Sequence, residues 1–185
     1  MSESKKKTPS IGHLVLVLFL ISAIAALALG YVNSITANKI VAINKANEEA
    51  AMAQVLPASN FAEVQYTGDD ATIQAVYKAD DAGYVVKVAP VGFGGPITMM
   101  VGIKSDGTVS GISITNMSET SGLGTNAKKP YFKDQYSDTS KMESDGHFKV
   151  NKDGGKIVAL TGSTITSRAV TRGVNSALDA AKSMG

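Results

Sequence analysis

Five hydroxyl-bearing residues crowd a nine-residue segment near the C-terminal end of the sequence. Segment 160–168 contains Thr161, Ser163, Thr164, Thr166 and Ser167. The pattern around it predicts that this segment joins a strand to a final helix. The free amides and the positive dipole end of a helix N-terminus favour a phosphate, and a glycine at position 162 lets a ligand approach the backbone. An anion site is therefore one interpretation of the pattern, and a phosphate attached to Thr164 would lie in this favourable field.

Hydroxyl groups at the start of a helix also have a purely structural explanation. Ser and Thr are preferred N-cap residues, because their oxygens satisfy amides that lack a partner in the first turn. Arg168 lies one turn into the predicted helix, and the pattern favours an ordinary solvated residue there over an anion ligand. The local pattern leaves both interpretations open.

Two glycine-rich stretches form a second group of candidate residues. Residues 92–97 read Gly-Phe-Gly-Gly-Pro-Ile, and residues 118–124 read Ser-Glu-Thr-Ser-Gly-Leu-Gly. Residues 122–127 match the G-x-G-x-x-A pattern of dinucleotide-binding loops, but the sequence Lys-Lys-Pro follows where a helix should continue, so we treat the match as accidental. Turn geometry explains such glycines, which also let a planar ligand approach the main chain.

The elements that must position these residues form an α+β pattern. Five segments rich in β-branched and aromatic residues predict strands, and these are Ile73–Lys78, Tyr84–Val91, Ile97–Ile103, Val109–Thr115 and Lys156–Leu160. Turn signals lie at residues 80–83 and 105–107. An apolar stripe from Thr164 onward predicts an amphipathic final helix. Because strands and helices do not alternate, we expect an antiparallel sheet with packed helices.

A hydrophobic segment precedes this domain. Residues 11–32 contain 18 apolar residues out of 22 and no charge, which is the length and composition of a transmembrane helix. Three lysines at positions 5–7 predict that residues 1–10 form a cytoplasmic tail. We therefore predict a single-pass anchor in the cell membrane, a stalk helix at 33–57 and an extracytoplasmic domain at 58–185. A cleaved secretory signal is the alternative, although its apolar core is shorter.

Composition removes several classes of function. The chain has no cysteine, which excludes disulfides, thiol nucleophiles and cysteine-ligated metal centres. Residues 38–185 carry 15 basic and 15 acidic side chains, so the domain lacks the basic field that nucleic-acid binding requires. Only two histidines occur, which disfavours histidine-based catalytic triads and metal centres. We predict no nucleic-acid partner, no catalytic residue and no metal site.

Two motifs, which follow each other along the chain in the same order as in a known family, resemble the motifs of that family. Residues 161–164, Thr-Gly-Ser-Thr, resemble the S/T-G-A-T motif of proteins that carry covalently attached FMN, and residues 118–124 resemble the SETPGLG stretch of the same family. With segment 92–97 and the N-terminal anchor, these features resemble the G subunits of Rnf electron-transport complexes. The C subunits of sodium-translocating NADH:quinone oxidoreductases are the nearest alternative.

The resemblance implies a function and a set of site residues. In this family a flavin transferase, using FAD and a magnesium ion, links FMN through its phosphate to the last threonine of the motif, which corresponds to Thr164. The chain would relay electrons as one subunit among other membrane and redox subunits of an ion-translocating ferredoxin:NAD oxidoreductase, and not as a stand-alone enzyme. The implied FMN-binding residues are Thr161, Gly162, Ser163, Thr164, Ile165, Thr166, Glu119, Thr120, Leu123 and Gly124.

Three positions depart from the family pattern. Ser163 replaces the usual alanine, Ser121 replaces a common proline, and Val158 replaces an aspartate that belongs to the pattern associated with transferase recognition. The hydroxyls of Thr166 and Ser167 are close enough in sequence to compete with Thr164 for the flavin.

Three other functions are compatible with parts of the sequence, namely an anchored domain without a cofactor, a serine hydrolase and a calcium-binding protein. An anchored structural or ligand-binding domain without a cofactor would need the hydroxyl groups only as helix caps. A serine hydrolase is disfavoured because the sequence contains no G-x-S-x-G motif. It also has only a single histidine outside the hydrophobic segment to serve as a catalytic base. Calcium binding is disfavoured because the acidic residues do not form a D-x-[DN]-x-[DN]-G loop.

Overall fold

The computed structural model describes residues 10–184, which divide into two compact units after Lys45. Residues 1–9 of the predicted cytoplasmic tail lie outside the described part of the chain.

One continuous helix, α1, runs over Ile11–Val55 and covers 45 residues. Its most apolar 18-residue window has a mean hydropathy of 2.7, so by length and composition the helix is able to cross a membrane. We expected an anchor at 11–32 followed by a stalk helix at 33–57. No glycine or proline lies between residues 31 and 56 to interrupt the helix, and the two predicted segments therefore form a single element.

The second unit contains a five-stranded antiparallel sheet. Its strands are β1 (Ala62–Val64), β2 (Ile73–Ala79), β3 (Gly83–Val88), β4 (Thr98–Lys104) and β5 (Val109–Asn116). Their order in the sheet is the same as their order in the chain, and every neighbouring pair is antiparallel. The predicted α+β class and the antiparallel sheet are confirmed.

One predicted strand is wrong. Residues 156–160 form no strand, and only an isolated bridge joins Ile157 to Val150. The side-chain amide of Gln135 bonds both backbone groups of Val158, accepting from its N–H at 2.8 Å and donating to its C=O at 3.2 Å. These backbone groups are therefore not available to a neighbouring strand. The short strand β1, which we did not predict, takes its place among the five strands of the sheet and pairs with β2.

Short helical segments connect the last strand of the sheet to the final helix along the chain. The four-residue helix α2 (Pro130–Lys133) lies among the 3₁₀ turns Gly124–Lys128, Asp134–Ser137, Thr139–Lys141 and Asn151–Asp153. Phe132, Tyr136 and Phe148 from this region are buried and make edge-to-face aromatic contacts, with ring centroids 5.8 and 5.4 Å apart. The final helix α3 spans Thr164–Met184, as predicted.

The sheet is covered on both faces. The apolar face of α3, including Val170, Val174 and Leu178, belongs to the main core with Val86, Met99 and other strand residues. On the opposite face, the last turns of α1 bury Met52 and Val55 in a smaller core with Val85 and Met100. Covering both faces explains why β3 and β4 are almost uninterrupted apolar runs.

The close approach of α1 to the sheet depends on one of two glycines that face each other across β4 and β5. Gly102 and Gly111 are register partners. A Cβ atom at Gly102 would lie 2.5 Å from the backbone oxygen of Val55, whereas a Cβ atom at Gly111 would lie 3.7 Å from it. Only position 102 therefore requires glycine for this packing.

We expect Gly102→Ala to lower the free energy of unfolding by about 1–3 kcal/mol, because the end of α1 must move away from the sheet. Gly111→Ala is the matched control, and we expect a change within about 0.5 kcal/mol. Chemical denaturation followed by circular dichroism measures both. Equal effects of the two substitutions would contradict the proposed packing constraint.

Candidate functional site

A cleft of about 440 Å³ lies beside the N-terminus of α3. Its volume falls within the ordinary range for small-molecule sites, roughly 300–1,000 Å³. It is lined by Phe93, Glu119, Thr120, Leu123, Gly124, Gly162, Ser163, Thr164, Ile165 and Thr166. Nine of the ten residues predicted from the sequence therefore lie around one cleft. Thr161 lines an adjoining cavity instead, and Phe93 is an additional lining residue that we did not predict.

The turn into α3 is held by a left-handed glycine and a buried serine. Gly162 has a φ of +73°, a conformation that costs little only for glycine. The Ser167 hydroxyl accepts a hydrogen bond from the Leu160 amide at 2.9 Å and donates one to the Ser163 carbonyl at 2.9 Å. This side chain ties the loop before α3 to the first turn of the helix.

The hydroxyl groups of this segment have different surroundings. Thr166 is 1% exposed and donates a hydrogen bond to Glu119 Oε2 at 2.7 Å. Ser167 is fully buried and bonded as described above. Thr164 is half-buried in the cleft wall, and within residues 10–184 no protein group forms a hydrogen bond with its hydroxyl. Of these three side chains, Thr164 has the hydroxyl that is available to a ligand.

Glu119 is a buried carboxylate at the base of the cleft, with 8% of its surface exposed. Its Oε1 accepts hydrogen bonds from the amides of Phe93 at 2.8 Å and Gly94 at 3.1 Å. A Cβ atom at Gly92 would lie 2.3 Å from Oε1, and one at Gly124 would lie 2.6 Å from Oε2. A side chain at either position would displace the carboxylate from its present place, a packing constraint that the sequence did not indicate.

Three large apolar side chains surround the cleft and remain exposed to solvent. Phe93 is 69% exposed, Leu123 is 45% exposed and Ile165 is 51% exposed. They belong to three separate segments, namely the glycine loop 92–95, residues 118–124 and α3. Exposed apolar surface that surrounds a concave site is characteristic of ligand pockets.

Arg168 lies outside the cleft. Its guanidinium donates hydrogen bonds to both carboxylate oxygens of Asp153, from Nε to Oδ2 at 2.9 Å and from Nη2 to Oδ1 at 2.5 Å. These bonds lower the pKa of Asp153 below its ordinary value. The side chain is an exposed helix residue in an ion pair, so it gives no support to the hypothesis of an anion ligand.

Comparison with known proteins agrees with this description. A family model described as the FMN-binding domain matches residues 92–179. The G subunit of the Na⁺-translocating ferredoxin:NAD⁺ oxidoreductase complex of Acetobacterium woodii is 37% identical over 179 residues, which cover 86% of each chain. The chain belongs to the family of G subunits of ion-translocating oxidoreductase complexes. Another G subunit, from Methanosarcina acetivorans, is 32% identical over 97% of this chain and 96% of that protein.

The FMN-binding domain match begins at Gly92 and therefore includes every residue that lines the cleft. Membership of the G subunit family confirms the resemblance predicted from the two motifs. Among solved structures, the C subunit of a Na⁺-translocating NADH-quinone reductase from Parabacteroides distasonis is similar, with 26% identity over 57% of each chain and a TM-score of 0.42.

The bonds of Ser167 predict a local energetic effect. We expect Ser167→Ala to lower the free energy of unfolding by about 1–3 kcal/mol, because the buried Leu160 amide loses its acceptor. Ser183→Ala is a control on the same helix, since Ser183 only donates to the Ala180 carbonyl, and we expect a change within about 0.5 kcal/mol. Thermal unfolding measures both, and equal losses would contradict a special role for Ser167.

Proposed function

We propose that this chain is the electron-transfer subunit of a redox-driven, ion-translocating membrane complex, with FMN attached through its phosphate to Thr164. The observation that carries the proposal is the cleft. It is lined by nine of the ten residues named from the family resemblance, and Thr164 lies in its wall. Family membership supports electron transfer and FMN binding.

The residues present fit the phosphate of FMN. The N-terminus of α3, a helix of 21 residues, carries backbone amides and a positive dipole end. Gly162 precedes the helix with a left-handed φ, Ser163 lies directly before the first helical residue, and Thr164 is that first residue. In the proposed assignment this turn holds the phosphate.

The apolar wall of the cleft fits a flat ring system. Phe93, Leu123 and Ile165 would contact the isoalloxazine ring, and covering them would remove exposed apolar surface from water. Thr120 and Gly124 line the same cleft and would also contact the cofactor. FMN, when bound, supplies the reversible uptake and release of electrons, and the protein orients it and limits its contact with water.

The relatives of this chain support a role within a larger assembly. The Acetobacterium woodii and Methanosarcina acetivorans proteins are subunits of ion-translocating oxidoreductase complexes. We infer that this chain also acts beside other membrane and redox subunits, and that its complex couples ferredoxin and NAD redox chemistry to ion movement. The apolar part of α1 would anchor the chain by a single span at 11–32, with a cytoplasmic N-terminus and an extracytoplasmic domain.

Covalent attachment suits a domain outside the cytoplasm. No cytoplasmic pool of FMN would replace a cofactor that dissociates there, and a phosphodiester bond prevents that loss. A flavin transferase would form the bond from FAD. Thr164 would supply the hydroxyl that takes the FMN phosphate, the phosphoanhydride bond of FAD would break, and AMP and a proton would be released.

Attachment at Thr164 is directly testable. Thr164→Ala, co-expressed with a flavin transferase, is expected to lose all fluorescence of the protein band on a denaturing gel, whereas Thr164→Ser retains a hydroxyl and keeps some. Thr108→Ala, in the β4–β5 turn, is the matched control and should label like the wild type. Intact mass should show the increment of FMN minus water. An unlabelled wild-type chain would favour an anchored domain without a cofactor.

Val158 offers a second test of the proposed maturation. Its side chain is 56% exposed and its backbone is held by Gln135, so an aspartate fits without being buried. If the family aspartate assists the transferase, Val158→Asp should raise the flavin content per chain when the transferase is limiting. Val158→Asn is the uncharged control. Equal flavin content in all three chains would contradict a role for charge at this position.

A further inference from the structure

Glu119 joins two segments that are distant in the sequence. It lies 26 residues after Phe93 and 47 residues before Thr166. Oε1 bonds the glycine loop 92–95, and Oε2 bonds the first turn of α3. The same carboxylate therefore connects two walls of the cleft.

The family resemblance predicts Glu119 as a direct contact of the flavin. A carboxylate offers about four acceptor positions, and three of them accept bonds from Phe93, Gly94 and Thr166. The side chain is 8% exposed. Most of its hydrogen-bonding capacity is therefore used inside the protein.

The packing around this carboxylate is equally restrictive. A side chain at Gly92 or Gly124 would overlap with it, and a Cβ atom at Gly94 would lie 2.0 Å from the Ser118 carbonyl. The glycine loop is thus packed directly against residues 118–119. The exposed ring of Phe93 belongs to this loop, so the position of that ring depends on the bonds that the loop amides form.

We propose that Glu119 is a positioning residue that couples the glycine loop to the first turn of α3 and thereby fixes the wall of the cleft formed by Phe93. It also engages the Thr166 hydroxyl in a hydrogen bond, so that this hydroxyl does not compete with that of Thr164. The effect on a bound flavin rests on the proposed function, whereas the coupling between the glycine loop and α3 is independent of it.

The coupling is tested by amide hydrogen exchange in the full-length protein in detergent, without flavin. Thr166→Val removes the hydroxyl but leaves the loop residues and Glu119 in place. We expect exchange at the Phe93 and Gly94 amides to accelerate by about tenfold, since a hydrogen bond to a charged group is equivalent to roughly one to two powers of ten in an opening equilibrium. Glu119→Ala should accelerate it at least as much.

Two further variants separate positioning from general destabilisation. Thr166→Ser retains the hydroxyl and should restore wild-type exchange. Thr171→Val removes a buried hydroxyl from the same helix, where it bonds Tyr136 at 2.7 Å, and should leave the Phe93 and Gly94 amides unchanged. Unchanged exchange in Thr166→Val, or equal acceleration in Thr171→Val, would overturn the proposal.

The flavin-loaded protein gives an independent measure of positioning. Iodide quenching of flavin fluorescence should increase in Thr166→Val, because the loop that carries Phe93 covers the cofactor less. Thr166→Ser and Thr171→Val should match the wild type. Faster exchange with unchanged quenching would overturn the positioning role. A wild-type chain that never acquires flavin would overturn the proposed function, and the exchange experiment would still decide the coupling.

Discussion

A single buried carboxylate determines how the cleft is assembled. Glu119 bonds two loop amides and one helix hydroxyl, and glycines at positions 92 and 124 provide the space it occupies. Burying a charged group is unfavourable unless its hydrogen bonds are satisfied, and charge-assisted hydrogen bonds are stronger than neutral ones. Both facts favour a fixed arrangement of the glycine loop relative to α3.

The sheet provides the rigid support for this arrangement. Its main core packs against α3 and its second core packs against the last turns of α1. The start of α3 carries the hydroxyl segment, so packing along the whole helix also holds that segment in place. On the other face, Gly102 brings the backbone of α1 close to β4. Precise placement of a small site thus depends on packing distributed over the whole domain.

Much of the fold is predictable from the sequence because its signals are local. Alternation and turn residues identify β2 to β5, and the spacing of apolar residues identifies α3. The strand predicted at residues 156–160 is wrong because Gln135, which is 23 residues from Val158, takes its backbone hydrogen bonds. Strand β1 was missed because three residues carry too little periodicity to be recognised.

The sequence by itself determined the family, the class of fold and nearly all of the residues around the cleft, because motif identity and order are properties of the chain alone. Tertiary structure decided what each residue does there. It brought Phe93 into the cleft, placed Thr161 in an adjoining cavity and paired Arg168 with Asp153. It also engaged the hydroxyls of Thr166 and Ser167 while leaving that of Thr164 available. Ser167 bonds residues close to it in the sequence, but Thr166 bonds Glu119, 47 residues away, and a local pattern does not reveal such a partner.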